Sequence, residues 1–171
     1  LVNVLPHDSL VAIAERVAEL GWHLVLYFEA PDLPELFDFF SSLPTTVVVD
    51  HMGRPDVTQS ENGPDFDLFV KFMADNPDYY SKVSCPERLS AEGPPQYNDV
   101  VPFAKRLVET FSDRVLWGTD WPHPNMKSHI PDDGKLVDYI PKIATTADLQ
   151  RKLLIDNPMK LYWSELQQGG S

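Results

Sequence analysis

The stretch VLWGTDWPHPN, at positions 115–125, places an ionisable side chain where a strand is predicted to end. Asp120 follows a short apolar run, and the two prolines soon after it end the strand and forbid a helix. A carboxylate in such a turn can act as a general base on water, or it can cap the turn by accepting backbone N–H groups. The surrounding sequence determines which of these two uses is favoured.

Other side chains with catalytic chemistry follow three further apolar runs, and one more follows Asp120 itself, so that together they form a candidate site. They are, in chain order, Tyr27, His51, Arg54, Arg88 and His123. Phenol and imidazole groups can polarise a carbonyl oxygen, and arginine binds carboxylates through two parallel hydrogen bonds. Each type also has a structural use, as a packed ring, a surface ion pair or a solvent-facing side chain. Cys85, in the same set of strand ends, is interpreted as a small packing residue.

Four strand–helix units follow an N-terminal helix in the predicted secondary structure. Strands are predicted at 23–28, 45–50, 79–84 and 114–118. Helices are predicted at 10–20 after an Asp8–Ser9 cap, and at 32–42, 65–74, 98–111, 135–143, 147–155 and 158–166. This alternation indicates an α/β protein with a parallel sheet, in which the carboxyl ends of the strands share one edge. The candidate residues are therefore expected to meet there.

Two architectures fit four strand–helix units. We favour the C-terminal half of a (β/α)₈ TIM barrel, one partial domain over residues 1–171, because a whole barrel needs about 250 residues. The chain begins at Leu1 and not at Met, so the N-terminal strands are expected to be missing. The alternative is a small doubly wound sheet, which carries a glycine-rich phosphate turn after its first strand. The segment YFEAP lacks that turn, which also disfavours a nucleotide-binding module.

Composition restricts the partners. The formal net charge is −12, which argues against nucleic acid or an anionic membrane, although a few local arginines can still bind a small anion. No apolar run reaches the roughly 18 residues of a membrane helix. Cys85 is the only cysteine, and no leader is visible, so a reducing cytoplasmic location is expected.

Three motifs at successive strand ends resemble the amidohydrolase superfamily. They are VVVDHMGRP (47–55), KVSCPERLS (82–90) and RVLWGTDWPHPN (114–125), and the resemblance covers essentially the whole chain. The motifs look most like the branch that hydrolyses 2-pyrone-4,6-dicarboxylate, a lactone from the bacterial breakdown of lignin-derived aromatics. The resemblance implies a (β/α)₈ barrel and the opening of that lactone to an unsaturated tricarboxylate.

The resemblance also implies roles for individual residues. Metal-dependent relatives bind a divalent ion with strand-end histidines and an aspartate, and here His51 and Asp120 match two of those positions. Tyr27 stands where such relatives place another histidine, so we expect no metal and no other cofactor. Asp120 is then the expected base for water, with His51 and Tyr27 as donors to the developing oxyanion. Trp117 and Trp121 are expected to restrict the hydration of Asp120 if either ring packs there.

The expected substrate is a small anionic dicarboxylate. Arg88 is expected to contact it, while Arg54 either contacts it or holds its own loop, and His123 is a further candidate contact. Two alternatives stay open at this point. One is a metal-dependent hydrolase of another lactone, and the other is an inactive truncated fragment. A half barrel would expose two sheet edges and favour self-association.

Overall fold

The structure is a computed structural model that describes residues 6–127 and 129–164. Its strands are β1 (Leu24–Leu26), β2 (Val47–Val49), β3 (Tyr80–Lys82) and β4 (Val115–Leu116). They form one parallel sheet in the order β1-β2-β3-β4, which confirms the predicted α/β class with a parallel sheet. Each strand is shorter than predicted, because the flanking residues already belong to turns.

Helices connect and cover the strands. The α-helices are α1 (His7–Glu19), α2 (Leu33–Ser41), α3 (Pro64–Asp75), α4 (Pro86–Leu89), α5 (Val101–Thr110), α6 (Asp133–Asp138), α7 (Ile140–Ile143), α8 (Ala147–Arg151) and α9 (Asn157–Tyr162). Short 3₁₀ turns cover Ala30–Asp32, Asp50–Gly53 and Asn98–Val100, and a π-helical turn covers Lys152–Asp156. Among these described helices, none has the length and apolar character needed to cross a bilayer.

The helix predictions differ from the structure in three places. The first helix begins at His7 with Pro6 as its cap, so the Asp8–Ser9 cap is wrong. The helix predicted at 135–143 is divided into α6 and α7, with a proline near the start of α7 that lacks the N–H needed to continue a helix. The short helix α4 was not predicted. The last two residues of the helix predicted at 158–166 lie outside the described residues.

The two faces of the sheet pack differently. Val47 and Val49 belong to a large cluster that includes the phenylalanines of α2 and α3. Val48, on the other face, packs with Tyr80 and Leu116, and a leucine of α9 packs against them. All three valines of β2 are fully buried, as expected for a strand covered on both sides.

The two outer strands are covered to different extents. Val25 in β1 is 47% exposed, whereas the residues of β4 are buried. Within the part of the chain that the structure describes, β1 and β4 each pair with a single neighbour. The sheet therefore presents two open edges in these residues, and its carboxyl ends carry the polar residues singled out from the sequence.

Candidate active site

Turns with left-handed backbone follow β2, β3 and β4 and carry polar side chains to one edge of the sheet. His51, Cys85 and Asp120 have φ values of 53°, 66° and 62°. A residue other than glycine held in a sparsely populated conformation costs on the order of 1 kcal/mol, and such residues concentrate at functional sites. The chain thus reverses sharply after each strand, and the three side chains converge.

Gly53 allows the turn after β2 to close against the helices. Its φ is +66°, and a Cβ atom built on it would lie 2.8 Å from Cδ2 of Phe69. Real side chains do not tolerate that distance, so the glycine in the DHMGRP motif is required by close packing. Any larger residue would displace either α3 or the turn that carries His51.

Arg88 lies at the centre of the converging groups. Its Nη2 atom donates to Asp120 Oδ2 at 2.8 Å and lies 2.9 Å from His51 Nε2. His51 Nε2 is 3.7 Å from Asp120 Oδ1. The side chains of Arg88, Asp120 and His51 are 11%, 18% and 8% exposed. Partial burial reduces solvent screening, so this ion pair is stronger than one on an open surface.

The contacts of His51 assign its tautomer. A guanidinium only donates, so Nε2 must accept from Arg88, and the ring proton must lie on Nδ1. Nδ1 is 2.9 Å from Ser84 Oγ, which can accept that proton. Burial lowers the pKa of His51 below its ordinary value of 6.5, although the Asp50 and Asp120 carboxylates oppose that shift. His51 is therefore neutral at pH 7, and its Nε2 becomes a donor only if Arg88 moves away and the ring proton changes position.

Cys85 completes this group of side chains as a protonated thiol. Arg88 Nε donates to its sulfur, and the thiol lies 3.6 Å from Asp120 Oδ2, to which it can donate. Burial raises the pKa of the thiol to about 12, so it is not a nucleophile at neutral pH. Cys85 is buried, as a packing residue is, but it also contacts the two charged groups of the cluster.

A second group of polar side chains lies at the end of β1. The Tyr27 hydroxyl donates to Glu29 Oε1 at 2.7 Å, and Arg54 Nε donates to Glu29 Oε2 at 2.9 Å. Burial raises the pKa of Tyr27 above its ordinary value, and the hydrogen bond to Glu29 adds to the shift, so the hydroxyl stays protonated and can donate. The rings of Tyr27 and His51 pack edge to face with centroids 6.1 Å apart, so the two groups are neighbours.

An open groove of about 600 Å³ is lined by Arg88 of the first group and by Tyr27 and Arg54 of the second. The side chains of Arg54, Arg88 and Lys127 give its lining three permanent positive charges, and Tyr27 adds a hydroxyl. A separate cavity of about 310 Å³ on the sheet face reaches His51 and Asp120. We name the larger space the cationic groove after these three side chains, and the separate cavity gives solvent access to Asp120.

His123 is not brought to the cationic groove. It is 7% exposed, so the alternative that it faces solvent is wrong. Its Nδ1 atom lies 3.7 Å from Glu87 Oε1, and its Nε2 atom lies 3.2 Å from Asp133 Oδ1. A substrate contact for His123 stays a prediction, and the described geometry places its ring between two carboxyl groups.

The tryptophans beside Asp120 contribute less than expected. Trp121 is 75% exposed, so the expectation that it shields the carboxylate is wrong. Trp117 is partly buried and packs against the hydrophobic core. Asp120 instead contacts Arg88 and Cys85, which both follow β3 in the chain, and His51.

Comparison with models of protein families shows which family this chain belongs to. The model of the amidohydrolase family matches residues 3–163. The chain belongs to the amidohydrolase family. The resemblance drawn from the three motifs is thereby confirmed, and the site lies where an α/β enzyme of parallel strands carries its chemistry.

Several relatives carry functional names. The chain is 65% identical to 2-pyrone-4,6-dicarboxylate hydrolase of Comamonas testosteroni, over 96% of this chain and 56% of that protein. It is 34% identical to 4-sulfomuconolactone hydrolase of Hydrogenophaga intermedia, over 88% of this chain and 50% of that protein. The structure superposes with a TM-score of 0.72 on a probable 2-pyrone-4,6-dicarboxylic acid hydrolase of Acinetobacter baumannii, solved with citric acid bound, at 26% identity over 86% of this chain and 55% of that one. The chain spans about half the length of the curated relatives it matches.

The described site residues of this amidohydrolase do not fit a divalent metal in the observed arrangement. The ligand atoms of His51, Cys85 and Asp120 lie within 4.8 Å of one another, which is close enough to hold an ion. The Arg88 guanidinium, however, contacts all three of them and already supplies a positive charge. Tyr27, at the end of β1, offers a phenol and no imidazole.

Sequence reasoning missed two features of the site. The first is the contact of Cys85 with Arg88 and Asp120, and the second is the buried pairing of Glu87 with His123. Cys85 and Glu87 flank Pro86 within the KVSCPERLS motif that supplies Arg88. An acid directly before a site arginine is the signal that points to Glu87. No local pattern indicates that its partner lies in the turn after β4.

Proposed function

We propose that this chain carries the lactone-hydrolysing site of a 2-pyrone-4,6-dicarboxylate hydrolase. The observation that supports it most directly is the Asp120 carboxylate held at 2.8 Å by Arg88, whose side chain also lines the cationic groove. A base next to an arginine suits an ester that carries carboxylates of its own. The name of the Comamonas relative, at 65% identity, supports the same substrate.

The proposed reaction is addition of water to the lactone carbonyl. Asp120 removes a proton from water while the water oxygen bonds to the carbonyl carbon, and the carbonyl oxygen becomes negative. Collapse of this intermediate breaks the bond between the carbonyl carbon and the ring oxygen, and the leaving oxygen takes up the proton that Asp120 removed from water. The new carboxyl group loses its own proton to solvent. The product is an open-chain unsaturated tricarboxylate. One water is consumed, and no oxidant or reductant is needed.

Arg88 is proposed to change partners when the substrate binds. Without substrate its guanidinium is bonded to Asp120, His51 and Cys85. A substrate carboxylate competes for the same donors, because arginine binds carboxylates through a planar pair of N–H groups. Transfer of Arg88 to the substrate would free Asp120 to act as a base and would free His51 Nε2.

The remaining roles follow from the groups that line the cationic groove. Tyr27 is proposed to donate to the carbonyl oxygen together with His51, once His51 carries its proton on Nε2. Arg54 is proposed to bind the second carboxylate, since it lines the groove and its partner Glu29 is exposed enough to be displaced. Loss of one oxyanion donor typically costs about 100- to 1000-fold in rate.

The architecture proposed for the active enzyme is a (β/α)₈ barrel of which residues 1–171 form the C-terminal half. The open edges at β1 and β4 support this proposal, because barrel closure removes such edges. Self-association of this chain through the same edges is proposed when the other half is absent. The cytoplasm is the proposed compartment, in keeping with a single cysteine.

The test is a substrate comparison on the full-length protein that carries this chain. We expect 2-pyrone-4,6-dicarboxylate to be consumed with loss of its ring absorbance, and the product to be identified by mass spectrometry as the substrate plus one water. Faster turnover of 4-sulfomuconolactone would assign the site to that substrate instead. The 171-residue chain is assayed in parallel by size-exclusion chromatography, and a monodisperse active monomer would contradict the half barrel.

A further inference from the structure

A buried carboxyl–imidazole contact lies behind the Arg88–Asp120 pair. The Glu87 side chain is fully buried, and that of His123 is 4% exposed. Among the described residues, no group meets hydrogen-bond geometry with either oxygen of Glu87 or either ring nitrogen of His123, although His123 Nε2 lies 3.2 Å from Asp133 Oδ1. Oε1 of Glu87 faces Nδ1 of His123 at 3.7 Å. Buried polar groups without partners are rare in proteins, and these four atoms belong to only two residues in contact.

The Arg88–Asp120 pair and the Glu87–His123 pair both join α4 to the turn after β4. Glu87 precedes Arg88 in α4, so one segment holds one member of each pair. The other segment is the turn after β4, in which the His123 N–H donates to the Asp120 carbonyl at 2.7 Å. The Glu87–His123 contact thus joins the α4 turn to the Asp120 turn independently of the Arg88–Asp120 ion pair.

We propose that Glu87 and His123 are positioning residues that hold the Asp120 turn against α4 when Arg88 leaves Asp120 for the substrate. This inference depends on the proposed function, because the exchange of Arg88 is part of it. Without a second link, release of the ion pair would let Asp120 drift from the water it must activate. A displacement of about 1 Å from the reacting geometry can cost about 100-fold in rate.

The charges around the pair are compatible with one shared proton. Burial raises the pKa of Glu87 above its ordinary value of 4.5, and the Asp120 carboxylate raises it further. The backbone N–H of Glu87 itself, His123 and Arg88 oppose the shift. Cys85 and Tyr97 face Glu87 from their own turns, and Asp133 of α6 faces the far side of His123. A proton between the two facing atoms lies either on Nδ1 of His123, as an N–H donor, or on Oε1 of Glu87, as an O–H donor. A movement of less than 1 Å would bring the facing atoms to hydrogen-bond distance.

Steady-state kinetics of a double-mutant cycle in the full-length protein test the positioning role. We expect Glu87→Gln and His123→Gln each to lower kcat by ~10- to 100-fold with KM changed by less than about threefold. The double variant should lose little more than the worse single variant, because both changes break one contact. The matched control is Glu92→Gln, an exposed acid just after α4, and it should keep wild-type kinetics. Losses that multiply in the double variant, or a kcat of Glu87→Gln within twofold of wild type, would overturn the proposal.

A titration that needs no substrate tests the contact itself. The Glu87 carboxyl carbon, followed by ¹³C NMR, should titrate at higher pH in His123→Gln than in wild type, because the imidazole that opposes the shift is gone. An unchanged titration would show that the two groups do not interact and would overturn the proposal. Circular dichroism verifies that each variant folds. If Glu87→Gln does not fold, the results for His123→Gln in the kinetic assay and in the titration test the proposal.

The two proposals fail in different ways. Absence of wild-type turnover on 2-pyrone-4,6-dicarboxylate overturns the proposed function and the positioning role with it, whatever the titration shows. If Asp120→Asn abolishes wild-type turnover and Glu87→Gln leaves it unchanged, only the positioning role is overturned. Both proposals are supported if Asp120→Asn abolishes turnover and if Glu87→Gln and His123→Gln lower it by the same factor.

Discussion

Two clusters at the carboxyl edge of the sheet contain the same kinds of groups in different surroundings. The inner cluster comprises Arg88, Asp120, His51 and Cys85, and the outer cluster comprises Arg54, Glu29 and Tyr27. Arginine meets carboxylate at 2.8 Å in the inner cluster and at 2.9 Å in the outer one. The carboxylate is 18% exposed in the first and 43% exposed in the second. The two ion pairs thus differ in burial far more than in length.

This difference in burial predicts a difference in the size of mutational effects. Charges screened by solvent interact weakly, and an exposed ion pair contributes about 1 kcal/mol at most. A partly buried pair feels a lower effective dielectric, so its groups influence the charge states of their neighbours. We therefore expect the larger effects from changes in the inner cluster, on the reaction step at Asp120 and on substrate binding at Arg88. Changes in the outer cluster should have smaller effects, mainly on substrate affinity.

The largest expected effect is that of Asp120→Asn. The amide cannot accept the proton of water, so kcat should fall by ~1000-fold or more, while the dissociation constant of the substrate stays within a few-fold. Calorimetric titration measures the binding, and a stopped assay measures the rate. The matched control is Glu29→Gln, which removes the acid of the outer cluster and should lower kcat by less than about tenfold. Equal losses in the two variants would contradict the distinction between the clusters, and a near-normal rate of Asp120→Asn would remove Asp120 as the base.

The second effect compares the two arginines. Lysine keeps the positive charge but loses the planar fork, so each Arg→Lys change tests paired hydrogen bonding. Arg88→Lys should lower kcat/KM by ~100-fold, mainly through KM, because it loses several buried contacts at once. Arg54→Lys should lower it by ~10-fold or less, because its surroundings are more exposed. An unchanged KM for Arg88→Lys would mean that Arg88 does not bind a substrate carboxylate.

A smaller effect concerns the protonation of His51. Burial holds the pKa of His51 below 6.5, so the neutral ring should persist to lower pH than in an unfolded chain. The stability that this contributes is present above the unfolded-state value and is lost as pH falls through the folded-state value. Nitrogen-15 NMR at pH 6.5 should find a mostly neutral ring with its proton on Nδ1. Ser84→Ala removes the Nδ1 partner and should weaken that preference, whereas a proton on Nε2 in wild type would contradict the assigned contact with Arg88.

The elements of this fold could be predicted because their patterns are local. The run TTVVVD predicts a strand buried on both faces, and β2 is such a strand. The strand ends then indicate which polar residues share an edge, since all parallel strands end on the same side. That rule requires no knowledge of contacts between distant residues. It therefore predicts from the sequence alone that Asp120, His51 and Arg88 lie at the same edge.

The contacts within the site could not be predicted in the same way. Glu87 and His123 are far apart in sequence, and only the two left-handed turns bring the acid and the ring together. The exposure of Trp121 is a further example, since the residue after Asp120 points away from the site once Asp120 adopts positive φ. A side chain's direction at such a turn depends on tertiary packing, which a one-dimensional pattern does not contain.

The smallest expected effect is that of a metal chelator. In the inner cluster the Arg88 guanidinium lies among the imidazole, thiol and carboxylate that could otherwise hold an ion, so a divalent cation would have to displace an existing cation. Treatment of the full-length protein with a chelator, followed by its removal, should change kcat by less than about twofold. Loss of activity that zinc or manganese restores would favour the metal-dependent alternative. Arg88→Ala tests the same point, because it removes the cation from among His51, Cys85 and Asp120. These three ligands are the usual number for a catalytic zinc site, so calorimetry should detect tighter zinc binding in this variant than in wild type.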